Sequence, residues 1–236
     1  AVHGPGPTRG RLAFALSDAE GSGLTMTVSL GFHLDASACI GCRTCVIACK
    51  SKNQLPAGRH FRRVVEYGGG SWIPDPEDPT ILAPSGLFAY CLSISCLHCQ
   101  DPACVAACPT EAIHQRPDGI VLIDSARCAG CRYCEWACPY GALSFDPSTG
   151  RMTKCDLCVD LIDAGEAPWC VASCVTRALK VGPVDDLRAE HGSLDALAPL
   201  PTGDQTHPNL VITPHRHGQP PGQGTGRSSN PERDLR

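Results

Sequence analysis

Apolar positions in this protein fall in short runs, and most runs stop at a cysteine-rich loop, a glycine or a proline. Leu30–Leu34 reads as a strand leading into one such loop, and Val46–Lys52 as the helix that follows it. The long stretch Asn53–Ser95 holds a strand over Phe61–Tyr67, then Gly68-Gly69-Gly70, a proline-rich turn from Pro74 to Pro84 and a second strand over Leu87–Ile94. Next come the Cys96 loop, a helix through Val105–Cys108, a hairpin over Ala112–Ile123 turning near Asp118-Gly119, and the Cys128 loop with its helix. Leu143–Phe145 closes that unit. The strand–loop–helix unit is thus repeated along the sequence. Past Gly182, Val184–Glu190 suits a short helix. Leu197–Arg236 is dominated by Pro, Gly, Thr and Arg, with the single apolar run Leu210-Val211-Ile212. A disordered tail and an extended arm lying on a partner both fit that composition.

Cysteine changes the picture most. Of 17 cysteines, sixteen form four ordered quartets: Cys39, Cys42, Cys45, Cys49; Cys96, Cys99, Cys104, Cys108; Cys128, Cys131, Cys134, Cys138; Cys155, Cys158, Cys170, Cys174. The first and third have the C-x2-C-x2-C-x3-C spacing in which three thiolates hold one [4Fe–4S] cube and the fourth reaches another. Such spacing curls the backbone around one object. The fourth cysteine, at i+4 on a helix, lies about 6 Å further along the axis at about 1.5 Å per residue. Pro109 and Pro139 follow Cys108 and Cys138 as in ferredoxins, whereas Lys50 and Val175 stand in those places in the outer quartets. Four [4Fe–4S] clusters are expected. Motifs two and three form one compact pair, and motifs one and four the other. The fold class that follows is α+β, with two bacterial-ferredoxin-like modules, the second inserted in the first, and extended N- and C-terminal tails. Residues 1–30 form a flexible N-terminal tail, 31–90 with 150–190 the outer module, 91–149 the inserted module, and 191–236 an extended C-terminal arm.

Other uses of cysteine fit less well. A disulfide framework belongs to short secreted proteins with even counts, and zinc ribbons have no role for a third cysteine two residues on. No C-x3-C-x2-C run suggests substrate chemistry at a cluster. With only 5% aromatic residues but 24 glycines and 21 prolines, a large apolar core is not expected, so metal should supply much of the folding free energy and the metal-free chain should be largely unfolded. A net charge of −4 gives no reason to expect nucleic acid or an anionic membrane surface. No window approaches a membrane span, and neither a Sec-like nor a twin-arginine signal is convincing in Ala1–Gly31, where Met26 fits either a natural start or an internal methionine. Lys154, Arg132 and Arg43 adjoin ligands and could raise neighbouring reduction potentials. His98 and His114 read as ordinary polar packing, and Cys91 as a small buried hydrophobe.

Several stretches then resemble one family. Phe61-Arg62-Arg63 with Glu66-Tyr67, Leu92–Cys96, Asp101-Pro102-Ala103-Cys104, Cys131-Arg132-Tyr133-Cys134, Ala137–Ala142, Met152–Asp156, Ala198–Pro201 and Pro208–Ile212 resemble the electron-transfer (beta) subunit of the dimethyl sulfoxide reductase family of molybdoenzymes. The resemblance implies a ligand order: Cys39, Cys42, Cys45 and Cys174 for cluster 1; Cys155, Cys158, Cys170 and Cys49 for cluster 2; Cys96, Cys99, Cys104 and Cys138 for cluster 3; Cys128, Cys131, Cys134 and Cys108 for cluster 4. It also implies two partners, a molybdopterin catalytic subunit near cluster 1 and a quinol-oxidising membrane anchor subunit near cluster 4. No residue of this chain would be catalytic. Nitrate-reductase relatives carry Trp where Cys131 stands and hold three irons there, so Cys131 implies four. Family export of the catalytic subunit implies membrane association through a partner on the outer, periplasmic-side face; a cytoplasmic complex is the alternative. The same relay could serve a formate dehydrogenase, tetrathionate reductase or hydrogenase. A structural zinc protein is the remote alternative.

Overall fold

The computed structural model describes residues 28–229, so the tail expected over residues 1–30 lies almost wholly outside them. The mixed α+β structure starts with β1 (Leu30–Asp35), a run with Leu30, Phe32, His33 and Leu34 all buried. A strand buried on both faces needs neighbours on both edges. β1 has them, in the middle of a three-stranded sheet whose other strands come much later in the sequence. The first quartet's loop and α1 (Thr44–Lys52) follow, then a long hairpin of β2 (Arg63–Pro74) and β3 (Leu82–Ile94).

That hairpin is longer than the sequence suggests. Gly68-Gly69-Gly70 does not end the strand, because β2 continues past a bulge between Gly69 and Ser71. Gly70 takes φ +109 there, with the Gly86 carbonyl too close for a side chain. The proline-rich stretch enters the second strand as well, Pro84 pairing with Trp72. The tip stays exposed, including Trp72, Ile81 and Leu82.

The middle of the sequence holds α2 (Ala103–Ala106), the hairpin β4 (Ile113–Gln115) with β5 (Val121–Ile123), α3 (Tyr133–Ala137), and the hairpin β6 (Leu143–Asp146) with β7 (Arg151–Lys154). β7 goes beyond the strands expected from the sequence, and its pairing with β6 crosses the boundary expected at 149/150. Then come α4 (Val159–Asp163), α5 (Trp169–Ala172), β8 (Leu179–Pro183) and α6 (Val184–His191). Most of these helices are a single turn, too short to stand alone in water. Tertiary anchors must hold them.

β8 pairs antiparallel with β1, and β9 (Leu210–Thr213) pairs parallel with its other edge. Up to residue 229 the C-terminal region is therefore ordered, and it packs on this chain's own sheet and core. Leu197, Ala198, Leu200, Leu210, Val211 and Ile212 are buried, Tyr90 donates its hydroxyl to the Ala198 carbonyl at 2.6 Å, and β10 (Arg227–Ser228) adds an edge to β2. The arm cannot build a core, but it completes one. β1, β2, β3, β8 and the arm share a contiguous apolar cluster, which corrects the expectation of a slight core. The middle region has a much smaller cluster around Ile113, Val121, Leu143 and Met152, two of whose six buried members are Cys104 and Cys134.

Ile212, fully buried between β1 and the core, tests the arm. Ile212→Ala should destabilise the iron-loaded protein by about 2–5 kcal/mol in denaturant titrations, and a cost near zero would show the arm to be dispensable.

Candidate metal centres

The loops that carry the thiols are shaped by left-handed backbone. In Cys39–Cys45 and Cys128–Cys134 the same two places are inverted: Gly41 and Gly130 at φ 70 and 69, Arg43 and Arg132 at φ 61 and 68. Each inversion turns successive peptide N–H groups toward the inside of the loop, and α1 or α3 starts immediately afterwards. The last quartet inverts at Leu157 and Cys158, and the second at His98. Backbone N–H groups reach the sulfurs, from Leu157 to Cys155 and from Met152 to Cys128, both at 3.4 Å.

Sequence-distant thiols meet in these loops. One cavity is lined by Cys39, Cys42, Cys45 and Cys174, with Ser93 and Val64 completing the wall. A second is lined by Cys96, Cys99, Cys104 and Cys138 with Leu143 and Thr206. The remaining thiols are electrostatic neighbours of one another: Cys49 of Cys170 and Cys158, Cys155 of Cys49, Cys96 and Cys170, and Cys134 of Cys108, Cys128 and Cys131. Two cavities are thus each lined by four thiols drawn from two sequence quartets. Among the described residues no three His, Cys, Asp or Glu side chains converge as a single metal ion requires. Sulfur-only donors, inward N–H groups and apolar walls fit [4Fe–4S] cubes.

Electrostatics agree with that fit. Burial, then crowding by other thiols, pushes Cys99 and Cys104 up to about 12 and Cys134 to about 11; burial raises Cys49 to about 12 and Cys39 to about 11 as well. Such groups do not ionise at neutral pH unless bound iron compensates the charge. Cys42, exposed, goes the other way because the Thr44 hydroxyl and N–H bond to it.

The three cations expected near ligands differ. Arg132 is half-exposed and paired with Glu135 at 2.7 Å, and Arg43 pairs with Glu66 at 2.8 Å. Lys154 is buried and donates to the Val121 and Cys155 carbonyls. His114 is exposed, whereas His98 is buried, accepts the Val121 N–H at Nδ1 (3.0 Å) and is kept neutral chiefly by burial. Cys91 is half-buried, its sulfur against Gly41 beside the first loop.

Other functional residues are absent from the sequence reading. Thr44, Thr110 and Thr176 each follow a ligand by two places and put a hydroxyl 3.4, 3.6 and 3.8 Å from the sulfurs of Cys42, Cys108 and Cys174. The recurrent Cys-x-Thr would have signalled them. Ser93 Oγ stands 3.3 Å from Cys45 Sγ. Thr206 and Asn209, on the arm, secure the second loop: Thr206 bonds Tyr140 at 2.8 Å and Asn209 donates to the His98 carbonyl at 2.7 Å. Arg62, wholly buried, has the sulfurs of Cys170, Cys45, Cys155 and Cys49 as its electrostatic neighbours.

Residues 87–184 match the 4Fe-4S dicluster domain family. The B component of the anaerobic dimethyl sulfoxide reductase of Escherichia coli (strain K12) is 49% identical over 207 residues, covering 88% of this chain and 99% of that protein. Its counterpart in Haemophilus influenzae is 44% identical over 201 residues, covering 85% and 97%. The B component of tetrathionate reductase from Salmonella typhimurium is 36% identical over 182 residues, covering 75% and 69%.

Gly130 offers a local test, since a Cβ there would strike the Gly150 carbonyl and the backbone is left-handed. Gly130→Ala should reduce iron by about four atoms per molecule, one cube's worth, when metal is measured on anaerobically purified protein.

Proposed function

The protein belongs to the family of the iron–sulfur B components of dimethyl sulfoxide reductase, and on that premise we propose that it carries four [4Fe–4S] clusters in two interlocked ferredoxin-like modules. It is an electron-transfer subunit of a reductase complex, with no catalysis of its own. The observation that carries the four-cluster reading is the crossing of ligands: Cys174 joins Cys39, Cys42 and Cys45 around one cavity, and Cys138 joins Cys96, Cys99 and Cys104 around another. By the same scheme Cys49 serves with Cys155, Cys158 and Cys170, and Cys108 with Cys128, Cys131 and Cys134. The inserted arrangement is supported by β1 pairing with β8 across the whole middle of the sequence.

When bound, the clusters supply one-electron acceptance and donation, with potentials set by charge, hydrogen bonds to sulfur and solvent access. The protein's residues fix those settings. Thr44, Thr110, Thr176 and Ser93 place hydroxyls at ligand sulfurs, favouring the more negative state. Burial excludes water from Cys155, Cys170 and Cys104, whereas Cys42 and Cys131 are exposed. Those two belong to the first and fourth groups, the proposed ends of the relay. Exposed apolar side chains lie beside each: Ile40, Ile47 and Val175 by the first, Tyr133 and Trp136 by the fourth. Apolar surface of this kind marks subunit contacts. We assign the first end to a molybdopterin catalytic subunit and the fourth to a quinol-oxidising membrane anchor, with the complex on the outer face of the membrane. No helix among the described residues is long and apolar enough to cross a membrane.

Anaerobically purified protein should hold about sixteen irons and as many labile sulfides per molecule, four cubes of four. Cys131→Ser should cost iron from a single cluster and leave the remaining three visible by electron paramagnetic resonance. A colourless zinc-containing product, or twelve or fewer irons in the parent, would contradict the proposal.

A further inference from the structure

Arg62 is a cation in an unusual place. It lies immediately before β2, is 2% exposed, and no carboxylate pairs with it among the described residues. Its guanidinium donates from Nη1 to the Ser93 carbonyl at 3.1 Å and the Ser93 hydroxyl at 3.2 Å, and from Nη2 to the Ser95 hydroxyl at 3.0 Å; Nε is buried with no partner. The planar group also sits over the Phe32 ring, 4.5 Å from its centroid. A buried charge with no counter-ion is strongly destabilising unless something of opposite sign stands near it. The groups that stand near it are thiols: Cys45 from the first group, and Cys170, Cys155 and Cys49 from the second.

We infer that Arg62 is the counter-charge shared by the first two clusters and holds the reduction potentials of both at more positive values. The inference rests on the four-cluster reading above. A fixed cation stabilises whichever redox state is more negative, and in a water-poor interior its field is weakly screened. The field reaches the first cluster by two routes, through space and along a hydrogen-bonded line. Ser93 Oγ accepts from Arg62, which leaves its own proton free to point at Cys45 Sγ, 3.3 Å away. Its leading electrostatic neighbours, Cys170, Cys45, Cys155 and Cys49, all belong to the first two groups. Arg132 and Arg43, whose charges are offset by Glu135 and Glu66, are poorly placed for the same role. Arg62 is a positioning residue in the electrostatic sense: it acts on the clusters through their ligands.

The test is a redox titration of the iron-loaded protein in its complex, followed by electron paramagnetic resonance, on the parent, Arg62→Gln and Arg62→Lys, with iron and sulfide measured on each. With iron unchanged, Arg62→Gln should move two of the midpoint potentials down and leave the other two at parental values, and Arg62→Lys should restore most of the shift. Unchanged potentials in Arg62→Gln, a uniform shift of all clusters, or no recovery with lysine would overturn the inference. If Arg62→Gln fails to hold iron, the lysine variant decides. Full iron with parental potentials there supports the charge role, and loss of iron there too reduces Arg62 to a packing element. A parent with fewer than four clusters would refute the four-cluster reading instead, and is recognised from its metal content before any variant is compared.

Discussion

Everything in this molecule follows from bringing sulfur together where charge is expensive. Thiols from distant parts of the sequence line shared cavities, many of them buried, and burial with mutual crowding holds those thiols as neutral groups far above neutral pH. Iron reverses the balance, since a thiolate on a metal core is a neutralised ligand and no longer a bare buried anion. Cys39 and Cys174, more than a hundred residues apart, line one cavity, so a cluster bound there would take over much of the role that an apolar core has elsewhere. The single-turn helices make sense only in that light. Each is too short to be stable by hydrogen bonding, and α2, α3 and α5, like the longer α1, each carry at least one ligand.

The two halves of the molecule divide the labour unevenly. The sheet β8-β1-β9, the β2–β3 hairpin and the arm enclose a true apolar core. The middle region has little beyond two small hairpins and a cluster partly made of its own ligands. Its order therefore depends on metal more directly, and the arm helps through polar ties such as Asn209 to His98 and Thr206 to Tyr140. Such ties join segments far apart in sequence.

What the sequence disclosed was whatever is local. Spacing of cysteines, the Asp118-Gly119 turn and the short strand before the first loop are set by neighbours within a few residues, and the structure has them at those places. The Leu210-Val211-Ile212 run was visible but its destination was not, because a parallel partner strand at the other end of the sequence leaves no local mark. Composition misled for the same reason: a proline- and glycine-rich tail reads as unstructured until the hydrophobic edge it covers is known. Strand ends at the glycine triplet were misplaced because glycine marks both a turn and a bulge with close backbone approach. Arg62 is the clearest case. Beside another arginine and ahead of a valine pair it looks like surface charge, and only the fold reveals that it points inward.

That orientation shows how a relay can be tuned without altering its ligands. On the proposed assignment every cluster has four sulfur ligands, so differences between clusters would come from what surrounds them. The structure supplies three kinds of surroundings that overlap: exposed sulfur at Cys42 and Cys131, a hydroxyl beside sulfur at Cys42, Cys45, Cys108 and Cys174, and sulfur near a buried cation at Cys45, Cys49, Cys155 and Cys170. Lys154 extends the series, buried between the carbonyls of Val121 and Cys155 and acting on Cys104. Arg62 and Lys154 lie in the interior beside thiols of the first, second and third groups, whereas Cys42 and Cys131 face solvent, so buried charge and solvent access are set by different parts of the structure.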